Sequence, residues 1–111
     1  YKEYLGVDVP SDREGVLQDS HWSGGAFGYF PSYALGSAYG VQLLEKMKET
    51  VDVNACLEKG DFAPINAWLE DKIWRFGSLY KPGDLFEKAA GAKFNPDYYV
   101  NYLTEKYSRK A

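Results

Sequence analysis

Residues 15–39 read GVLQDSHWSGGAFGYFPSYALGSAY and pass from a polar, glycine-rich loop into a helical spacing at Pro31. The loop holds the chain's single histidine, His21, beside the amide and carboxylate of Gln18 and Asp19. Gly24, Gly25 and Gly28 follow within five positions. Side chains able to position or protonate a substrate therefore stand next to backbone that bends freely. Pro31 suits the first turn of a helix, where its missing N–H costs nothing. Tyr33, Ser37, Gly40, Val41 and Leu44 then recur on adjoining rows, which predicts a helix over about Pro31 to Glu49. Gly36, Ser37 and Gly40 are small enough for a second helix to approach closely. The other reading is that the two glycines only weaken the helix, each by about 1 kcal/mol relative to alanine. Lys46 and Lys48 near the end suit the helix dipole.

Upstream, Tyr1 to Leu5 reads as a last helical turn stopped by Gly6, and Val7 to Glu14 as loop around Pro10, Ser11 and Asp12. Gln18 to Trp22 fits a short extended or helical piece, and Ser23 to Gly28 a loop of little rigidity. Downstream, Asp52 can cap a helix through Glu58, with Gly60 ending it. Asp61 can cap the next, with Pro64 in its first turn and Gly77 at its end. Ile65, Trp68, Leu69, Ile73 and Phe76 form one apolar face of that helix. Pro82 to Ala90 reads as a helix stopped by Gly91. Asn95-Pro96-Asp97 supplies a cap, a first-position proline and a first-turn carboxylate. Tyr99, Tyr102, Leu103 and Tyr107 would face inward from the helix that follows. No strand-like alternation of useful length occurs, so the expected fold is all-α with about five helices, in a single segment over 1–111.

Composition narrows the function classes. The 111 residues are 45% hydrophobic and 17% aromatic, with ten tyrosines and three tryptophans. That aromatic share predicts extensive packing, some of it meant for a partner surface. The net charge is −3 with no basic block, which argues against nucleic acid. No apolar run is long enough to span a bilayer. One cysteine, Cys56, excludes an internal disulfide and fits a reducing, cytoplasmic setting.

Gly15, Gln18, Asp19, His21 and Trp22 stand in the pattern GxxQDxHW, and SGGxFGYFPSYxLG follows. On these residues the chain resembles the C-terminal signature of the thermostable (Taq-type) zinc carboxypeptidases, helical enzymes similar to the neurolysin-type metallopeptidases. The resemblance continues through Gly60-Asp61-Phe62-Ala63-Pro64-Ile65, Trp68-Leu69, Gly77-Ser78-Leu79-Tyr80-Lys81-Pro82 and Tyr102-Leu103-Thr104-Glu105-Lys106-Tyr107. It implies a C-terminal helical subdomain of a larger metallopeptidase. The family's zinc is held by an HExxH helix, whose two histidines bind the metal while the glutamate activates water. One histidine cannot supply that, and no HExxH occurs in the chain. The expectation is a C-terminal segment without the zinc-binding half. Zinc would belong to the full-length parent, with ligands outside this segment and none bound by the segment alone.

The resemblance also implies roles. His21 would hold the substrate, and Tyr33 or Tyr29 would donate to the substrate carbonyl as it becomes an oxyanion. The competing reading has both tyrosines packed, with satisfied hydroxyls. Asp19 would orient His21 or cap the following turn, and Gln18 would bind substrate backbone or serve the fold. Gly24 and Gly25, with Gly28, would form a mobile substrate flap or an ordinary turn that needs positive φ. Arg75 offers a fork for the free carboxylate that a carboxypeptidase must recognise, or it is a solvated helix residue. Phe76 stands where the family pattern commonly has histidine. Two functions remain open. In the first, the segment forms one cleft wall of an enzyme that removes C-terminal residues from peptides. In the second, it is a non-catalytic helical interaction module on that scaffold. Expected partners are the remainder of the parent polypeptide and a peptide substrate, and a homodimer is left open.

Overall fold

The computed structural model describes residues 1–108 and is helical throughout, with no strand among the described residues. The chain divides into two compact units, Tyr1–Ser32 and a second that begins at Tyr33.

The first unit contains α1 (Lys2–Leu5), two 3-10 turns (Asp12–Glu14 and Val16–Gln18) and α2 (Ser20–Ser23). None of its described residues is buried. It is held by local hydrogen bonds instead. Ser11 caps the first 3-10 turn, its hydroxyl accepting from Glu14 N at 3.3 Å. The glycine loop is better tied than its composition suggests. Gly24 N donates to Ser20 O at 2.9 Å, Gly25 N to Trp22 O at 3.0 Å and Ala26 N to His21 O at 2.8 Å. Gly25 and Gly28 take φ of 77° and 78°, where a side chain is strained, so these two glycines serve a turn of positive φ. Gly24, at φ −80°, does not.

The second unit contains most of α3 (Pro31–Lys48), then α4 (Val53–Lys59), α5 (Ala63–Lys72), a 3-10 turn (Trp74–Phe76), α6 (Pro82–Ala90) and α7 (Asp97–Ser108). The five helices of seven residues or more are the five that the sequence predicts. Their ends follow the expected punctuation. Asp52 Oδ1 accepts from Ala55 N at 3.0 Å, and Gly60 closes α4 at φ 67°. Asn95 Oδ1 accepts from Asp97 N at 2.9 Å and starts α7. Met47, Val53 and Trp68 form one core cluster, with Leu43, Leu44, Val51, Ile65 and Leu69 against it. Tyr39, Phe86 and Phe94 form a second, with centroids of Tyr39 and Phe86 4.4 Å apart and of Tyr39 and Phe94 4.9 Å apart.

Three expectations need correction. The apolar stripe from Ile65 to Phe76 is not one helix: α5 ends at Lys72 and the stripe continues in the 3-10 turn. The tyrosine face of α7 is not core. Tyr99 and Leu103 are half-buried, Tyr102 and Tyr107 are exposed, and α7 has no buried residue. Third, a Cβ built on Gly36 or Gly40 meets nothing within 4 Å, so no described element uses the close approach that these small residues permit. Beside them, α3 and α7 flank a groove of about 370 Å³ lined by Ser37, Gly40, Leu44, Tyr99 and Tyr102. None of the described helices is long and apolar enough to cross a membrane.

Candidate active site

Gly15 is the pivot of the first unit. A Cβ there would lie 2.5 Å from Val9 Cγ1, so only glycine lets the chain turn this close to Val9. The 3-10 turn Val16–Gln18 follows, and Asp19 then takes an extended backbone, φ −91° and ψ 114°, as the N-cap of α2. Asp19 Oδ1 accepts from His21 N at 2.8 Å and lies 2.6 Å from His21 Nδ1. Both expected roles of Asp19, capping the turn and orienting the ring, are thus filled by one oxygen.

The backbone N–H of His21 and then its ring hold the Asp19 carboxyl below its ordinary value of 3.8. The carboxylate is therefore ionised at neutral pH. With Nδ1 turned to Asp19, Nε2 has no partner among the described residues. In the neutral ring with Nδ1–H held, Nε2 accepts. With both nitrogens protonated, it donates. Ring contacts fix the plane. Tyr29 stacks on His21 with centroids 6.0 Å apart, and Phe30 meets it edge-on at 4.8 Å.

This pair opens onto a cavity of about 630 Å³. Gln18, Asp19, Ser20 and His21 line it with polar groups, and Val9, Val16 and Trp22 with apolar ones. Gln18 Nε2 donates to Arg13 O at 2.7 Å, so its N–H serves the loop. Its amide oxygen has no partner among the described residues. Gly24 and Gly25 lie directly after α2, outside the lining.

The remaining candidates belong to the second unit. Tyr33 lies in the first turn of α3 and is 59% exposed. Arg75 lies in the 3-10 turn after α5, where Nη1 donates to Asp71 Oδ1 at 2.9 Å. Its guanidinium carbon is 5.8 Å from the Phe76 ring centroid. Lys72 and then Arg75 hold the Asp71 carboxyl below its ordinary value. Lys88 Nζ stands 5.7 Å from the same Phe76 ring. Cys56 is buried and alone.

Val9, Val16 and Ser20 line the cavity without any motif in the sequence to mark them. Gly15 was the available signal: a glycine that cannot carry a side chain implies a close neighbour, though not which one.

The described residues do not assemble a metal site. No group of three or more His, Cys, Asp or Glu among the described residues could hold a metal ion. Asp19 and His21 make at most two ligands, and they are spent on each other.

Comparison with known proteins agrees with the sequence pattern. Residues 1–107 match the family model described as carboxypeptidase Taq (M32) metallopeptidase. The chain is 49% identical over 109 residues to carboxypeptidase 1 of Bacillus subtilis, covering 97% of this chain and 22% of that protein. It is 41% identical over 104 residues to thermostable carboxypeptidase 1 of Pyrococcus furiosus, covering 93% and 21%. Among solved structures, metallocarboxypeptidase 1 of Trypanosoma cruzi matches with a TM-score of 0.77 at 40% identity, covering 96% of this chain and 23% of that one. The chain spans about a fifth of the length of the curated relatives it matches. By sequence pattern, by family model and by helical fold, the chain belongs to the carboxypeptidase Taq (M32) metallopeptidase family.

Proposed function

We propose that the chain is the C-terminal part, acting as one helical segment over 1–111, of a zinc-dependent carboxypeptidase that removes C-terminal residues from peptides. In this reading zinc belongs to the full-length parent, a cytoplasmic enzyme, and its ligands lie outside this segment. The segment's residues bind and orient the peptide. His21, held by Asp19, presents Nε2 to the substrate backbone in the cavity, and the Gln18 amide oxygen accepts from a substrate N–H. Gly24 and Gly25 form the hydrogen-bonded turn after α2 that keeps His21 in place for the peptide. Tyr33, or Tyr29 stacked on His21, donates to the developing oxyanion. Arg75, with the part of its fork not turned to Asp71, receives the terminal carboxylate. The remainder of the parent polypeptide is the principal partner, and exposed tyrosines support a homodimer.

The observation that carries this reading is the Asp19–His21 pair, 2.6 Å apart, lining a cavity large enough for a peptide. The test is mass spectrometry of a defined peptide incubated with the full-length, zinc-loaded polypeptide, and with the same protein after chelation. Stepwise loss of C-terminal residues that stops on chelation and returns with zinc is expected. A full-length product that binds no zinc and trims no peptide would favour the non-catalytic interaction module, for which Phe76 in place of histidine is the supporting observation.

A further inference from the structure

We infer that Tyr1–Ser32, the unit that carries the Asp19–His21 pair, opens transiently without any opening of the second unit. The pair and its cavity are then made and unmade by a local transition, while the helices of the second unit stay folded. The inference rests on what holds each unit. In the first, no residue is buried, α1 and α2 have four residues each, and two 3-10 turns make up the other regular elements. Helices this short do not stand without packing. The bonds of this unit join near neighbours in sequence: Lys2 with Asp8, Gln18 with Arg13, His21 with Asp19. The Lys2 and Asp8 side chains are 79% and 73% exposed, so their pair contributes little. Phe27, Tyr29 and Phe30 meet His21 and Trp22, and these three rings and Trp22 all stay exposed. Their packing removes little apolar surface from water.

The second unit is held across long stretches of chain. Met47 of α3, Val53 of α4 and Trp68 of α5 form one buried cluster. Gln42 is buried too, and its amide bonds Lys93 and Asn95, 51 and 53 residues away. Opening these elements exposes buried apolar surface and leaves polar groups unpaired, so they open together and at high cost. Opening the first unit exposes almost nothing that is buried. Segments with few buried apolar contacts occupy the low end of a protein's range of opening energies. Every residue that lines the cavity beside His21 lies in this segment. A molecule held there binds only the closed form, so its binding and the closing of the unit are one linked equilibrium.

The experiment is native-state hydrogen exchange of the 111-residue chain, followed amide by amide by NMR in dilute solution over a series of low urea concentrations. The amides of Gly24, Gly25 and Ala26 donate within the first unit, and Gln42 and Met47 are buried on α3. The first three should be less protected than the other two by about a hundredfold or more. Urea should speed exchange at Gln42 and Met47 and leave the first three nearly unchanged, because a local opening exposes little surface. Asp19→Ala removes the cap of α2. It should speed Gly24, Gly25 and Ala26 about fivefold and leave Gln42 and Met47 within about twofold. Val53→Ala should do the reverse, speeding Gln42 and Met47 about tenfold. If Val53→Ala fails to fold, the urea series on wild type and the Asp19→Ala comparison still decide. Equal protection and equal urea dependence in the two sets, or an Asp19→Ala chain that speeds both by the same factor, would overturn the inference. Neither result bears on peptide trimming by the full-length polypeptide, so the carboxypeptidase reading stands or falls separately.

Discussion

Asp19 uses one carboxylate oxygen for two partners, the backbone N–H and the ring of His21. Both bonds need the ionised form, and both lower its pKa from 3.8. A carboxyl with a depressed folded pKa gives stability that is fully present above its unfolded value and is lost as pH falls through the folded one. The capped turn of α2 should therefore stay intact from neutral pH down to 3.8 and open only below it. The His21 backbone amide resonance, followed by NMR from neutral pH downwards, should show its carboxylate-linked inflection below 3.8. An inflection at or above 3.8 would mean that Asp19 gains nothing from His21. Both partners of this pair were legible in the sequence because a carboxylate two residues before a histidine is a local motif. The place of Val9 in the cavity was not legible, because its contact is visible only once the loop closes around Gly15.

Between elements, one buried polar side chain has the corresponding role. Gln42 of α3 is only 4% exposed. Its Nε2 donates to Lys93 O at 2.9 Å, and its Oε1 accepts from Asn95 N at 2.8 Å. Asn95 in turn caps α7. Gln42 thus fixes where α7 begins. Gln42→Leu keeps the apolar stem but leaves a carbonyl and an N–H without partners, and should cost about 2 kcal/mol in chemical denaturation. A loss below about 0.5 kcal/mol would show that water replaces the amide freely. Helix existence was readable because Asp52, Gly60, Gly91 and Asn95-Pro96-Asp97 punctuate the chain locally. The break at Ile73 was not, since a 3-10 turn repeats every three residues and keeps Phe76 in register with Ile73. Gln42 gave no signal because its partners lie 51 and 53 residues away. The α7 tyrosines misled because a tyrosine face suits a core or a half-wet surface equally.

At the scale of the molecule, too little is buried for the apolar content. Among the described residues eight hydrophobics are buried, whereas twenty-two large ones are exposed, and no side chain falls below 2% exposure. Apolar patches of several hundred Å² on a monomer usually mark an interface. The isolated 111-residue chain should therefore bind an apolar dye and self-associate as concentration rises. A sharp two-state melt, a monomer by light scattering at high concentration and no dye binding would contradict this. The central claim, that this segment supplies groups acting on the substrate in a metal-dependent peptidase, is tested most directly by steady-state kinetics of the full-length enzyme. His21→Ala, Tyr33→Phe and Tyr29→Phe should each be compared with wild type at verified zinc content. Turnover should fall on the order of a hundredfold for His21→Ala and for one of the two tyrosine variants, with zinc retained and KM little changed for the tyrosine. Near-normal turnover in all three variants, or loss of zinc in His21→Ala, would contradict it.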